Sequence, residues 1–205
     1  TTSGRDINGF FLTHPNKNYL SLDGTDGCYV DIPHSDALSF GGTTGDTAFS
    51  IEAWVNMDDP SNFPIVTKGI YDTTNAEWNF GTLANDKLYF YIYDESLSST
   101  REYIYYDTVL NANTWYHLVG TYDGRGGATA NAGMLLYVNG SVVTDVDGDD
   151  GTYVAMENLG GNVRIGEYNS TEANGQIDDV RIYNRVLTPA EVTKNYRHGT
   201  AKHKD

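Results

Sequence analysis

The chain has one cysteine in 205 residues, Cys28, so no disulfide forms within it. That fits a reducing compartment, and equally an extracellular bacterial or phage protein with a large core. Positive charge is also scarce. Thirteen Lys and Arg stand against 28 Asp and Glu, for a net charge of −15 and a pI near 4.5. Nucleic acid and anionic lipid are thereby excluded as main partners, because both need a basic surface. A soluble acidic protein, or one that binds hard cations, fits the balance. No apolar run approaches a membrane span, and TTSGRDINGF has neither an initiating Met nor a signal-peptide pattern. The chain therefore reads as a processed form or an excised domain, without membrane insertion. No internal repeat and no Pro- or Ser-rich linker divides it. One domain over residues 1–205 is expected, with a core over about 18–198, an N-terminal arm and a polar tail (HGTAKHKD) that frays.

What is present is a succession of short β-branched and aromatic runs separated by Gly, Asn and Asp. Strands are predicted at 19–22, 29–32, 49–56, 64–68, 77–80, 87–93, 103–106, 115–122, 134–138, 141–144, 163–166 and 177–183. No amphipathic helix lies between them, which excludes a βαβ architecture. The pattern predicts an all-β fold, a two-sheet antiparallel β-sandwich closed by a short C-terminal helix. In LLYVNGSVV (135–143), Asn139 and Gly140 supply the positive-φ pair of a type I′ hairpin. Thr188, Pro189 and Glu191 form a capping box that starts the one clear helix.

A carboxylate inside an apolar run needs an explanation. In NGQIDDVRIYNRVLTPAEV (174–192), strict alternation puts Asp178 on the face of Val180 and Ile182, pointing into the core. Unpaired, it would cost several kcal/mol there, so it must meet a cation or several backbone N–H groups.

In order along the chain, YLSLDGTDGCYVDIPHSDAL, FSIEAWVN, NTWYHLVGTYDG, LLYVNGSVV and GQIDDVRIYNRVLTPAEV resemble the landmarks of laminin-G-like, concanavalin A-type jelly rolls. The resemblance spans roughly residues 18–198. It implies a structural Ca²⁺ held between the opening turn and the closing strand, which carries over to Asp23, Asp26 and Asp178. The alternative is that Asp178 accepts hydrogen bonds from the amides of that turn, with no ion.

Catalytic patterns are missing. The E-x-D-x-E triplet of sandwich glycosidases is absent, and Gln176-Ile177-Asp178 lacks the histidine of a Q-I-H lyase strand. The five histidines show no metal spacing, and His117 reads as structural. In 145–157, Asp145, Asp147 and Asp149 imitate an EF-hand, but Asp150 and Met156 break its positions 6 and 12, so a solvated loop is expected.

Aromatic surface remains as the functional lead. KLYFYIYDE (87–95) puts Tyr89, Tyr91 and Tyr93 on one face, and REYIYYDT (101–108) offers Tyr103 and Tyr105. Paired in a hairpin, the two rows form a platform that stacks on sugar C–H faces while hydroxyls bond, with Trp78 and Glu52 as additions. Strand pairing or contact with another protein explains the same tyrosines. Three functions follow as expectations. The first is a non-catalytic carbohydrate-binding or adhesion module, Ca²⁺-stabilised, on an extracellular, cell or virion surface. Its partners are a glycan or polysaccharide and, beyond that, other subunits or a parent multidomain protein. The second is a structural decoration protein of a capsid or surface layer. The third is a polysaccharide-degrading enzyme with a dispersed site.

Overall fold

The computed structural model describes residues 5–6, 9–10, 19–42, 45–70, 75–97, 100–143, 145–149 and 151–203, so most of the predicted N-terminal arm and the last two residues of the tail lie outside the described residues. In chain order its strands are β1 (Arg5–Asp6), β2 (Gly9–Phe10), β3 (Leu20–Asp23), β4 (Val30–Ile32), β5 (Phe49–Met57), β6 (Pro64–Lys68), β7 (Trp78–Thr82), β8 (Lys87–Asp94) and β9 (Thr100–Val109). There follow β10 (Trp115–Tyr122), β11 (Met134–Val138), β12 (Ser141–Val142), β13 (Asp145–Asp149), β14 (Val163–Ile165), β15 (Glu167–Tyr168), β16 (Thr171–Glu172), β17 (Asn174–Tyr183) and the helix α1 (Pro189–Thr200).

Two sheets carry the fold. One runs β12-β11-β10-β5-β17-β3 and the other β13-β9-β8-β7-β6-β14-β4. Alternation decides which side chains meet between them. Phe49, Ile51, Ala53 and Val55 of β5 face Trp78, Phe80, Phe90, Ile92 and Ile104 in a single apolar cluster. Each fully buried Phe or Ile contributes about 1.5–3 kcal/mol. The Asn139-Gly140 hairpin forms as expected, with φ of 52° and 80°, and the capping box of Thr188 and Glu191 starts α1.

The even positions of β5 point the other way, under α1. Glu52 is fully buried there. Its carboxylate accepts from Arg181 Nη1 (2.5 Å), Tyr183 Oη (2.9 Å) and Asn195 Nδ2 (2.9 Å), with His117 Nε2 at 3.5 Å. His117 is thus structural, and Glu52 is closed to any ligand. Next along the strand, Trp54 stacks on His203 (4.3 Å between ring centroids) and faces Tyr196. A Cβ on Gly199 would lie 2.3 Å from Trp54 Nε1, so only glycine lets the helix approach this closely.

Three expectations are corrected. Residues 145–149 are not a solvated loop; they form the edge strand β13 on β9, from Asp145 opposite Tyr106 to Asp149 opposite Glu102. Backbone pairing satisfies a strand whose acidic side chains give no apolar alternation. The tail does not fray through residue 203: α1 runs to Thr200 and His203 is buried. Finally, Asp178 does not point inward. The register of β17 on β5 slips between Asp178 and Arg181, with Asp179 at φ +49°. This β-bulge switches the parity of the strand. Ile177 and Ile182 both pack inward, whereas Asp178 lies opposite Trp54 and Arg181 opposite Glu52, on the helix side.

Burial alone would raise the Glu52 pKa, but its hydrogen bonds from His117, Asn195, Arg181 and Tyr183 outweigh that and bring it from 4.5 down to about 2. A depressed folded-state value stabilises above the unfolded pKa and is lost as pH falls from 4.5 toward 2. The difference is worth on the order of 3 kcal/mol at neutral pH. Glu52→Gln should therefore be less stable than wild type by about 2–3 kcal/mol at neutral pH, with the gap narrowing below pH 4.5 and closing by about pH 2. Urea unfolding across that range measures it; a gap independent of pH would show that the charge of Glu52 is not what stabilises.

Candidate ligand-binding cleft

On the outer face of the seven-stranded sheet, register brings the two tyrosine rows together. Tyr89 lies opposite Tyr105, and Tyr91 opposite Tyr103. On the other side of β8, Asn79 lies opposite Tyr91 and Gly81 opposite Tyr89. The rings pack on one another: Tyr89 and Tyr91 are 4.4 Å apart, Tyr91 and Tyr103 5.0 Å. The Arg101 guanidinium sits over both Tyr91 (5.3 Å) and Tyr103 (5.6 Å).

A small hairpin, β15–β16, rises beside this face. Its turn residues Asn169 and Ser170 have φ of 50° and 58°, the positive pair of a type I′ turn. Glu167 anchors it: its carboxylate accepts from Arg164 Nη1 (2.6 Å) and from the Ser170 amide (2.8 Å). Its carbonyl accepts from Thr67 Oγ1 (3.1 Å). Arg164 is held in turn by Asp31 (3.1 Å). So fixed, Tyr168 hydrogen-bonds through its hydroxyl to that of Tyr93 (3.1 Å).

Sheet and hairpin enclose a cleft of about 390 Å³, lined among others by Asn79, Tyr89, Tyr91, Tyr93, Arg101 and Tyr168. Tyr89 and Tyr93 are its buried floor, and burial raises both phenols well above 10, so they stay protonated and uncharged. Tyr91 is half-buried at the opening. Asn79 is only 1% exposed, yet neither of its amide atoms has a hydrogen-bond partner; it approaches the Tyr89 hydroxyl without reaching bonding geometry. Asn169 Oδ1, at the rim, is likewise buried without a partner. Such groups cost about 1–3 kcal/mol each until something meets them.

Of the predicted platform, Tyr89, Tyr91 and Tyr93 line this cleft. Tyr103 and Tyr105 share the face but lie beside it, the Tyr103 ring resting over Gly148 of β13, where a Cβ would come within 2.1 Å. Trp78 is not on this face. It is fully buried between the sheets, beside Phe49 (6.0 Å), and donates from Nε1 to the Leu38 carbonyl (3.2 Å). The reason is parity: Trp78 pairs with Ile92, which faces inward. Asn79, Arg101, Tyr168 and Asn169 were missed. The signal for the last two was present in EYNST, a two-residue Asn-Ser turn between β-formers.

With the sandwich and its cleft in place, comparison with known proteins gives the family. The Laminin_G_3 model, described as the concanavalin A-like lectin/glucanases superfamily, matches residues 23–193. The chain belongs to this superfamily. No curated protein is similar enough in sequence to add to that. Among solved structures, the botulinum neurotoxin serotype G binding domain is similar at a TM-score of 0.64 and 17% identity, over 89% of this chain and 43% of the other. Domain 4 of AbnA, a GH43 extracellular arabinanase from Geobacillus stearothermophilus solved with arabinotriose, is similar at a TM-score of 0.55 and 17% identity, over 86% and 75%. At these identities the likeness is one of fold. The chain spans less than half of the neurotoxin domains it matches. No helix among the described residues is long and apolar enough to cross a membrane.

In this lectin-like sandwich the three residues assigned to calcium do not come together. Asp23 and Asp26 are exposed in the opening turn, where Asp23 accepts from the Thr25 amide (3.0 Å) and hydroxyl (2.6 Å). Asp23 pairs with Asn174, and Asp178 lies four positions farther along β17, roughly 13 Å away at about 3.3 Å per residue. The bulge then turns Asp178 to the helix side. There Lys202 Nζ (2.7 Å) and His203 Nε2 (2.9 Å) meet its Oδ2, while His203 Nδ1 lies 3.0 Å from the Gly199 carbonyl. Asp178, Asp179 and His203 do hold ligand-type atoms within 4.8 Å of one another, but the Lys202 ammonium already reaches both carboxylates. Burial would raise the Asp178 pKa; His203 and Lys202 hold it below the ordinary carboxylate value instead. Asp178→Ala should release the C-terminal turn from Trp54, cost about 1–2 kcal/mol, and speed amide exchange over 199–203. Unchanged exchange there would mean that stacking on Trp54 alone holds the turn.

Proposed function

We propose that this domain is a non-catalytic glycan-recognition module of a secreted or surface-displayed protein, and that it binds sugar in the tyrosine cleft. The observation that carries the reading is the buried Asn79 amide without a partner, set among tyrosines in an open cleft. Sugar hydroxyls both donate and accept, so they suit an amide that offers both functions. Tyr91 supplies a half-exposed ring for the apolar C–H face of a pyranose. The protonated Tyr89 and Tyr93 add neutral hydroxyls without charge.

Chemistry on the sugar is not part of this reading. Glycoside hydrolysis uses two carboxyl groups about 5–9.5 Å apart. Among the described residues no Asp or Glu lines the cleft. Glu52, the nearest match to a sheet-face carboxylate in sequence, is sealed under α1 on the opposite sheet. That an arabinanase domain of similar fold was solved with arabinotriose supports the reading by analogy.

A Tyr91→Ala variant should melt within a few degrees of wild type, since its ring is half-buried, but should lose about tenfold or more of glycan affinity. A glycan microarray followed by calorimetry on the best binder measures both. Equal binding by wild type and variant would move the site elsewhere.

A further inference from the structure

We propose that the cleft selects an uncharged sugar ring carrying two adjacent free hydroxyls, and that Asn79 is the residue that reads the pair. The inference rests on the glycan reading above and narrows it. What the lining leaves unmet is the first observation. Asn79 Oδ1, Asn79 Nδ2 and Asn169 Oδ1 are buried there without a hydrogen-bond partner, two acceptors and one donor group. A ligand that meets both oxygens must bring hydrogen-bond donors. Hydroxyls do so. A carboxylate or sulfate oxygen only accepts, so against these two oxygens it leaves them open and repels them.

Placement of the amide is the second observation. Strand β7 is the middle strand of its sheet, and Asn79 lies between Thr67 of β6 and Tyr91 of β8, only 1% exposed. Its neighbours do not serve it. Thr67 Oγ1 donates to the Glu167 carbonyl (3.1 Å), and the Tyr89 hydroxyl stops short of bonding geometry. A carboxamide holds its C=O and NH2 side by side in one plane, and its complement is a donor and an acceptor on adjacent positions. Vicinal hydroxyls on a ring supply that pair. Asn169, on the β15–β16 turn, then takes a further hydroxyl from the hairpin side. The third observation is one of cost. An amide left open under the cleft weakens the free protein, and a position kept for packing alone would carry an apolar side chain of the same size.

The test is a microarray and calorimetry panel of neutral pentose and hexose oligosaccharides, each beside its monodeoxy and mono-O-methyl congeners, with uronate-containing chains as the charged arm. The expected result is that removing or methylating either of two adjacent hydroxyls of the best binder weakens it about tenfold or more. Asn79→Leu, close to isosteric, should raise the melting temperature of the free protein by a few degrees, yet bind the parent sugar no better than its deoxy congener. Asn169→Gly, which suits the φ of 50° at the turn, should weaken the parent sugar by about threefold or more. The congener series on the wild-type chain needs no variant to fold. If every congener binds as its parent does, or if uronates bind about tenfold tighter than neutral chains, the diol inference falls while the glycan cleft stands. If Asn79→Leu still rejects the deoxy sugar, Asn79 is not the reader and the inference falls likewise. If no sugar binds at all, both fall.

Discussion

A buried carboxylate organises the helix side of this sandwich. Glu52 lies on the central strand of its sheet, and its partners come from β10, β17 and α1. Removing any one of them would leave an ion in an apolar layer short of a partner, so the four elements are tied to a single arrangement. The β-bulge in β17 is what makes the arrangement possible. A regular strand carrying Ile177 inward would send Arg181 inward too. The extra residue, with Asp179 in the left-handed region, keeps Ile177 in the core and still delivers Arg181 and Tyr183 to Glu52.

The two outer faces are thus treated differently. Over the six-stranded sheet, the helix lies so close that Gly199 touches the Trp54 indole. Among the described residues, the element that rises beside the tyrosines of the seven-stranded sheet is a four-residue ladder, β15–β16, pinned by Glu167 and Arg164. A lid that small closes one side of the face and leaves the other open, which is the geometry of a cleft. Its lining holds the uncharged phenols of Tyr89 and Tyr93 together with Arg101, whose guanidinium lies over the Tyr91 ring, in a chain where acidic residues outnumber basic ones 28 to 13.

How much of this was legible in the sequence follows from which signals are local. Alternation in 49–56 and 87–93, the Asn139-Gly140 turn and the Thr188 capping box each act over a few residues, and each element formed where expected. Tyrosine rows from neighbouring strands met because β8 and β9 pair antiparallel, with Tyr89 opposite Tyr105 and Tyr91 opposite Tyr103. Strand β13 was hidden, since its stability comes from backbone pairing to β9 and its side chains advertise a loop. A bulge is invisible to a parity count: one slipped residue turned Asp178 from the core to the helix side, while register alone, with Asp23 opposite Asn174, keeps Asp178 four residues from the opening turn. Trp78 fell on the wrong face for a related reason, because the start of β7 fixes its parity through Ile92. The lining residues Asn79, Arg101 and Tyr168 come from three separate strands, and no local pattern joins them.

The margins of the two sheets have a bearing on how this molecule behaves among copies of itself. Exposed ladder ends invite further strands to add on, and the outermost strands here offer poor templates. One is the two-residue β12, another the three-residue β4, and the longest spans only the sequence DVDGD, with Asp147 exposed. Like charges facing across such a seam repel, and two or three residues cannot nucleate a shared ladder. Crowded at high density, neighbouring molecules should therefore remain discrete rather than fuse edge to edge into fibrils.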